Sequence, residues 1–450
     1  MSLTKVKTDM VNSNPLKAIL LFVIPMMLGN LFQQFYNVVD SAIVGKFVGM
    51  SALASVGASY SVTAVFIAVA SGGSMGCAVI ISQYFGACDY NKMKTCISTF
   101  IITFLAISVF LAVLGAFSGD TILSFIKTPE SSFKGASEYL RIYFYGLPFL
   151  FMYNVLSAVF NSMGDSRTPL TLLLFSSVLN IFMDLYFVVS LNMEISGAAW
   201  ATLIAQGTSA IISFLILIKK LSSYKTPEFH IYNPQLLPKM ASMAIPSILQ
   251  QSIISIGTLL VQSVINSFGE SVLAGYTAGN KIHLLLSVFA LSMGNASSTF
   301  TAQNIGAKKY DRVGEGYIAG HKIVLAVYTF VLIAVFIFAR NALSIFLDES
   351  ADEVAFSTGI SFLRFICVFY YMFGFKTITD GVLKGSGDVF VFTLSNLINL
   401  SIRVSFAFIF APVIGACAVW YAVPAGWSVN YIIGFLRYRS GKWKSKKVIN

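Results

Sequence analysis

Charged side chains are scarce in this sequence of 450 residues, and their scarcity is its most informative feature. Only 11% of the residues are Asp, Glu, Lys or Arg, whereas 56% are hydrophobic. Soluble domains carry roughly 25% charged residues. The composition therefore excludes an ordinary soluble protein and indicates an integral membrane protein.

Residue types that support catalysis or cross-linking are also rare. The three histidines, His230, His283 and His321, have no metal-ligand spacing, and the five cysteines show no paired spacing. We therefore predict that the cysteines are reduced packing residues. The sequence has no glycine-rich phosphate-binding loop, which excludes direct use of ATP by this chain, and no cofactor is predicted.

Long apolar runs fill the chain instead. A helix needs about 20 apolar residues to cross a hydrocarbon core of roughly 30 Å, and twelve such runs can be counted. In the first half the predicted spans are 16–44, 53–81, 96–117, 139–160, 169–190 and 195–218. In the second half they are 236–268, 272–300, 317–340, 357–383, 389–410 and 413–437.

The second half of the chain is a diverged copy of the first. The repeated motifs lie 220 to 223 residues apart and pair Ile24-Pro25 with Ile245-Pro246, Gly86-Ala87 with Gly306-Ala307, and Gly164-Asp165 with Gly387-Asp388. Internal duplication of this kind is typical of transporters, and an even six spans per copy gives both copies the same orientation.

The predicted fold class is an all-α integral membrane protein with twelve transmembrane helices. These form two six-helix lobes related by pseudo-twofold symmetry along the membrane normal. The predicted domains are an N-lobe with a cation-coupling site (1–220), a cytoplasmic linker (221–235) and a C-lobe with a basic cytoplasmic tail (236–450). We also predict that the protein is a monomer.

The distribution of Lys and Arg predicts the orientation, because these residues accumulate on the cytoplasmic side. Most of them fall in segments that are cytoplasmic if both termini are cytoplasmic, and Lys384 is counted among these. The predicted location is a bacterial-type plasma membrane. The basic tail also accounts for much of the net charge of +11, and it indicates contact with anionic lipid headgroups rather than with nucleic acid.

Two acids of the first half, Asp40 and Asp184, are predicted to lie within the membrane. Carboxylates at that depth are costly and usually functional. From the expected helix ends, Asp40, Asp184 and Thr202 lie roughly 6, 9 and 10 Å below the outer surface. Three helices would thus bring oxygen-bearing side chains to a similar level.

Further polar residues share these helices. Gln33, Tyr36, Asn37 and Asp40 follow the three- and four-residue spacing of one helix face. Asn180 lies one turn before Asp184, and Asn154 is expected at about the same depth as Asn180.

Such a cluster could serve in either of two ways. Carboxylate, amide and hydroxyl oxygens suit Na⁺, with Asp40, Asn180, Asp184 and Thr202 as the possible ligands. Alternatively, a buried carboxylate carries a proton across the membrane. A purely structural role remains the alternative, in which Asp40 ends a helix at the wet interface and Asp184 bonds a neighbour.

The second half carries basic residues where the first is acidic. The duplication aligns Asp184 with Arg403, 219 residues later. Lys281, Lys376 and Asp380 also fall within predicted spans, and the spacing of Lys376 and Asp380 allows them to pair on one helix face. Arg403 and Lys281 either snorkel or pair within their lobe, or they line a substrate cavity together with Gln33, Asn37, Lys376 and Asp380.

Three pairs of glycines have the four-residue spacing that permits close contact between membrane helices. They are Gly72 with Gly76, Gly275 with Gly279, and Gly381 with Gly385. Packing is the expected role of these glycines, and a hinge is the alternative.

Over nearly its whole length the sequence resembles the multidrug and toxic compound extrusion (MATE) family, and within it the DinF-like prokaryotic branch. The matching motifs, specific in their order and spacing, are the helix start with Pro25, Gln83–Ala87, Met163–Pro169 and Gly197–Thr202. The resemblance implies cation coupling in the N-lobe by Tyr36, Asp40, Asn154, Asn180, Asp184 and Thr202. Gln250 and Gln251 stand where the NorM-like branch has a carboxylate, which argues against a second cation site of that type.

The expected function is therefore export of hydrophobic or cationic drugs in exchange for Na⁺ or H⁺. A lipid-linked precursor flippase is the first alternative, because Lys281 and Arg403 would suit an anionic substrate. A membrane-embedded transferase or protease is a weaker alternative, since no reactive constellation is found at a membrane surface.

Overall fold

The structure, a computed structural model, describes residues 9–226, 229–347, 352–446 and 448–449, and these form thirteen α-helices with short connections. The first half contains α1 (Pro15–Phe47), α2 (Met50–Gly86), α3 (Tyr90–Phe125), α4 (Glu130–Ser162), α5 (Arg167–Asp184) and α6 (Glu194–Ser222). The second contains α7 (Leu237–Asn266), α8 (Glu270–Gly306), α9 (Tyr310–Leu343), α10 (Glu353–Val368), α11 (Tyr370–Ser386), α12 (Val389–Ile414) and α13 (Cys417–Arg439).

Most of these helices have the length and composition of membrane spans. Ten of them in the described part of the chain are long and apolar enough to cross a membrane, and α10 with α11 forms an eleventh span bent by 51°. The helix α13 lies at the position of the last predicted span but is not among these long apolar helices. Large apolar side chains such as Phe117, Phe125 and Phe390 are more than 75% exposed, which suits a lipid-facing surface.

The contacts gather the chain into two compact units. The N-unit is Ile24–Ile248, and the C-unit combines Met1–Val23 with Leu249–Asn450. The helices α1 and α7 each begin in one unit and end in the other, and Pro25 and Pro246 lie within two residues of these crossings. Proline removes a helical hydrogen bond, so both helices can bend at these positions. The lobe boundaries at 220 and 236 thus follow the sequence repeat and not the grouping of contacts.

In each unit, hydrogen bonds attach the segment that precedes one of the two crossing helices, α7 in the N-unit and α1 in the C-unit. In the N-unit the Lys94 ammonium donates to the Tyr224 carbonyl, and in the C-unit the Asn304 amide donates to the Met10 carbonyl. Met10 is fully buried.

The repeat in the sequence is also a repeat of backbone conformation. Left-handed φ angles occur at equivalent turns of the two copies, at Gly49 and Gly269, at Cys88 and Lys308, and at Gly164 and Gly387. Such angles favour glycine, so Gly164 and Gly387 suit the turns after α4 and α11.

The glycine pairs pack helices against one another, as their spacing predicts. A Cβ atom added to Gly76 would lie 2.4 Å from the Met243 carbonyl oxygen, and one added to Gly275 would lie 2.1 Å from the Ala355 oxygen. Backbones can approach this closely only because these positions lack a side chain.

Candidate functional site

The predicted acidic cluster of the first half is assembled within the N-unit. The carboxyl groups of Asp40 on α1 and Asp184 on α5 lie within hydrogen-bonding reach of each other. The Asn180 amide donates to the Thr202 hydroxyl of α6 over 3.3 Å, and the Tyr36 hydroxyl lies within hydrogen-bonding reach of Thr202. Five of the six residues carried over from the family resemblance thus share one site.

Helix packing buries the centre of this site. Asp184 is completely buried at the last residue of α5, where the chain passes into a turn of π-helix at Leu185–Ser190. Such turns are rare and frequent at functional sites. Nearby, Val188 joins Val44, Ala52 and Ala198 in a small apolar core that holds α1, α2 and α6 together.

The cluster is rich in acceptor oxygens that lack donors. Asp40 Oδ1, Asn180 Oδ1 and both carboxyl oxygens of Asp184 are buried without a hydrogen-bond partner among the described residues. Two ionised carboxylates about 4 Å apart would repel each other by roughly 4 kcal/mol at an effective dielectric constant of about 20. A proton or a hard cation between them removes this repulsion, so the arrangement is suited to binding positive charge.

Tyr139 is a member of the site that the sequence did not reveal. It lies on α4, close enough to Asp40 and Asp184 for their charges to act on its hydroxyl. A tyrosine near the start of an apolar span resembles an ordinary interfacial residue. Tyr139 reaches the carboxylates because α4 packs beside α2 and α6, and the local sequence does not predict this packing.

The other predicted N-lobe residues lie apart from these contacts. The Asn154 amide donates to the Leu150 carbonyl of its own helix, which satisfies it locally. Gln33 and Asn37 are exposed, and the Asn37 carbonyl accepts a bond from the Ser41 hydroxyl. The structure does not bring these three side chains to the carboxylates.

The C-unit contains a second buried polar cluster on α11 and α12. Lys376 and Asp380 form the ion pair that their spacing predicts, with the ammonium 2.8 Å from the carboxylate. Asn396 completes a triangle, because it accepts from Lys376 over 2.8 Å and donates to Asp380 over 3.2 Å. Asp380 is thus neutralised within its own unit.

Lys384 stands in the last turn of α11, one turn beyond Asp380, and is only 7% exposed. The sequence grouped it with the cytoplasmic loop lysines, but packing of α11 against α8 buries it. No hydrogen bond or ion pair joins it to another described residue. The cluster therefore carries one more positive than negative charge.

Arg403 and Lys281 occupy different surroundings. Arg403 lies in the middle of α12, and its Nε is buried without a partner among the described residues. Lys281 is exposed, with its ammonium 5.4 Å from the centre of the Phe346 ring. The pairing that the sequence allowed for Arg403 is not formed within the described C-unit.

Comparison with known proteins decides the family. The family model described as MatE matches residues 25–186 and again residues 246–409, so each copy of the repeat matches it separately. The chain belongs to the MatE family.

Individual MatE relatives match along the chain. The probable multidrug resistance protein YpnP of Bacillus subtilis is 30% identical over 442 residues, which cover 98% of both chains. A FAD transporter of Shewanella oneidensis is 23% identical over 72% of both chains. A crystal structure of a MATE protein in complex with MaL6 superimposes with a TM-score of 0.90 at 26% identity, covering 98% of this chain and 100% of that one.

MatE membership confirms the predicted fold class, a two-lobed bundle of twelve transmembrane helices. Members of the family are transporters and not enzymes, so the chain is a multi-span membrane transporter. Membership does not assign roles to individual residues.

Proposed function

We propose that this MatE transporter exports hydrophobic or cationic drugs across the cell membrane in exchange for an inward-moving cation, Na⁺ or H⁺. Drug export is supported by its likeness to a probable multidrug resistance protein over 98% of the chain. We further propose that it functions as a monomer and that both termini are cytoplasmic, as the Lys and Arg distribution predicts.

The observation that carries the exchange mechanism is the meeting of Asp40 and Asp184. Four acceptor oxygens of Asp40, Asn180 and Asp184 lack donors in the described structure. A cation bound there neutralises the two carboxylates, and Na⁺ is a hard ion that prefers such oxygen ligands. A proton shared between the two carboxyl groups serves the same electrostatic purpose.

Exchange follows if the cation and the drug favour different conformations. In the outward-open state the cation binds at Asp40, Asn180, Asp184 and Thr202 and promotes drug release. The protein then faces inward, releases the cation and accepts a new drug. Each ligand shifts the equilibrium only through its differential affinity for the two states.

A lipid-linked precursor flippase is the second candidate function. It is favoured by the excess positive charge of the cluster that contains Lys384 and by Arg403, whose Nε lacks a partner among the described residues, because both suit an anionic headgroup. A relative described as a FAD transporter is consistent with an anionic substrate in this family. Flipping of a fluorescent lipid pyrophosphate by reconstituted protein, without ethidium transport, would establish this alternative.

The exchange mechanism is tested by substituting Asp40→Asn, which keeps the shape of the side chain and removes its charge. Everted vesicles that contain the wild-type protein are expected to accumulate ethidium when a cation gradient is imposed. The cation-dependent rate of the variant should be at least about tenfold lower, which corresponds to an increase of about 1.4 kcal/mol in the activation free energy. Asp120→Asn is the matched control, because Asp120 is an exposed acid of the same unit.

Replacing Na⁺ with choline at constant pH separates the two coupling ions. Loss of uptake identifies Na⁺, whereas retention of uptake with sensitivity to a protonophore identifies H⁺. Transport by Asp40→Asn at the wild-type rate, with unchanged cation dependence, would contradict the coupling assignment.

A further inference from the structure

Arg403 faces the interior of the C-unit. Arg403 itself is partly buried, and five residues along its face of α12 are at most 8% exposed: Phe392, Asn396, Asn399, Ala407 and Ala411. This face of α12 packs into the C-unit, and the Arg403 Nε is buried there. Gly426 of α13 lies against it, since a Cβ atom there would be 2.9 Å from Arg403 Cγ.

The depth of Arg403 makes its charge expensive. It lies fourteen residues from the start of α12 and eleven from its end, or roughly 21 and 17 Å along the helix axis. An arginine in the middle of a membrane helix is unfavourable even on the mildest insertion scale. No carboxylate and no hydrogen bond within the described residues offsets that cost.

A neighbouring hydrogen-bond donor, the Tyr276 hydroxyl, also lacks a partner among the described residues. Tyr276 of α8 lies close enough to Arg403 for the positive charge to act on its hydroxyl, and that hydroxyl makes no hydrogen bond within the described structure. The guanidinium presents a planar fork of N–H groups that fits the two oxygens of a carboxylate or phosphate. Together the two residues offer several donors and no compensating acceptor charge.

Aromatic residues pack beside this donor pair. Tyr276 packs on Phe362 with ring centres 5.1 Å apart, and Phe362 packs on Trp420 at 6.0 Å. On the same side of α8, His283 bonds the Tyr370 hydroxyl over 2.9 Å and lies near Trp427. A low-dielectric wall of this kind strengthens the attraction between a guanidinium and an anion.

We propose that Arg403 and Tyr276 form a substrate site for an oxyanion, the carboxylate or phosphate group of an amphipathic compound. This inference rests on the transport function proposed above and refines its substrate class, because it adds anionic and zwitterionic compounds to the cationic ones. The duplication makes the assignment specific to the C-unit, where Arg403 replaces Asp184. One copy binds the coupling cation, and the other binds the negative group of the cargo.

Binding of fluorescein to the purified full-length protein tests the inference, with fluorescence anisotropy as the readout. Arg403→Gln should raise the Kd for fluorescein roughly ten- to hundredfold, the range expected for a lost hydrogen bond to a charged group. Arg403→Lys keeps the charge without the fork and should give an intermediate Kd. Arg364→Gln is the matched control, because Arg364 is exposed on α10 and bonds the Phe336 carbonyl.

Displacement of fluorescein by three naphthalene compounds identifies the recognised group. 1-Naphthoate or 1-naphthyl phosphate should displace the dye, and the stronger of the two shows whether carboxylate or phosphate is preferred. 1-Naphthylmethylammonium should not displace it. Equal displacement by the ammonium compound, undetectable binding of fluorescein by the wild type, or an unchanged Kd in Arg403→Gln would each overturn the proposal.

Dye transport in proteoliposomes separates this inference from the function it refines. Wild-type protein should move both fluorescein and the cationic dye rhodamine 6G, and Arg403→Gln should lose fluorescein transport while it keeps that of rhodamine 6G. This retained transport also shows that the variant is folded. Failure of the wild type to move either dye would contradict the transport function, whereas loss of both dyes only in Arg403→Gln would contradict the oxyanion site.

Discussion

Equivalent residues of the two copies show which roles the duplication kept and which it changed. Asp165 pairs with Lys220 in the N-unit, and Asp388 pairs with Arg437 in the C-unit, at the same turn of the repeat. Asp184 and Arg403 differ in charge at equivalent positions. Sequence alignment of the copies predicted this contrast, but not Tyr139 beside the carboxylates or the burial of Lys384, because both depend on packing between helices distant in sequence.

The Asp165–Lys220 pair gives a stability that depends on pH. Burial acts to raise the pKa of Asp165, but the Lys220 ammonium and hydrogen bonds from Thr168 outweigh it, so this pKa lies below its ordinary value. The stabilisation is therefore present above the unfolded pKa of about 3.9 and is lost as the pH falls through the folded value. It contributes at neutral pH and disappears in acid.

Lys220→Met should therefore lower the free energy of unfolding at pH 7 by about 1–3 kcal/mol, since it leaves a partly buried carboxylate unpaired. The difference from the wild type should shrink as the pH is lowered below 4, which thermal unfolding of the detergent-purified protein can measure. Lys219→Met, at the exposed neighbouring position, should leave the melting temperature unchanged. A Lys220→Met deficit that is constant with pH would show that packing of the lysine stem, and not the ion pair, is responsible.

Helix positions were more predictable than helix irregularities. The first span was predicted at 16–44 and is observed as Pro15–Phe47, because a long apolar run has few alternatives to a membrane helix. The span predicted at 357–383 is instead two helices, Glu353–Val368 and Tyr370–Ser386, joined at a 51° bend. No proline or glycine marks this break, and the fully buried Tyr370 packs there on Tyr328 and His283. Tertiary packing of this kind leaves no local signal, and the π-helical turn after Asp184 is unmarked in the same way.

Close packing of α11 on α8 can be tested at a single glycine. A Cβ atom at Gly381 would lie 2.3 Å from the Gly294 carbonyl oxygen and 2.8 Å from Ser297 Cβ. Gly381→Ala should therefore destabilise the protein by about 1–3 kcal/mol through overpacking. The measurement is the apparent melting temperature of the purified protein.

Gly57→Ala provides the control for this substitution. A Cβ atom at Gly57 meets nothing within 4 Å, and alanine is the better helix former. This variant should be neutral or slightly more stable. Equal effects of the two substitutions would mean that α8 and α11 do not pack closely at Gly381.

For the whole molecule, the repeat predicted the two-lobed architecture but not how the chain is shared between the compact units. Ile24-Pro25 and Ile245-Pro246 were recognised as repeated motifs, yet nothing local shows that α1 and α7 leave one unit and enter the other beside them. The passage of a helix from one unit to the other is determined by contacts between residues distant in sequence. It also means that neither half of the sequence corresponds to an independent unit.

The two buried polar clusters should contribute to different steps of transport. The Asp380 carboxylate is already paired with the Lys376 ammonium and accepts a hydrogen bond from Asn396, so it has less capacity for an external cation than Asp40 and Asp184. Coupling is therefore expected to reside in the N-unit alone. Removing both charges of the C-unit pair is the suitable test, because removal of one would leave the other buried and unpaired.

The double variant Lys376→Met with Asp380→Asn should retain the wild-type dependence of transport on cation concentration. Its KM for the drug should change, since the pair is predicted to lie in the substrate cavity. Asp184→Asn should show the opposite pattern, and its cation-dependent transport rate should fall roughly tenfold or more. Initial rates of ethidium uptake, measured against cation and drug concentration in turn, distinguish the two outcomes. A shifted cation dependence in the double variant would indicate a second coupling site in the C-unit. It would contradict the assignment of cation coupling to the N-unit alone.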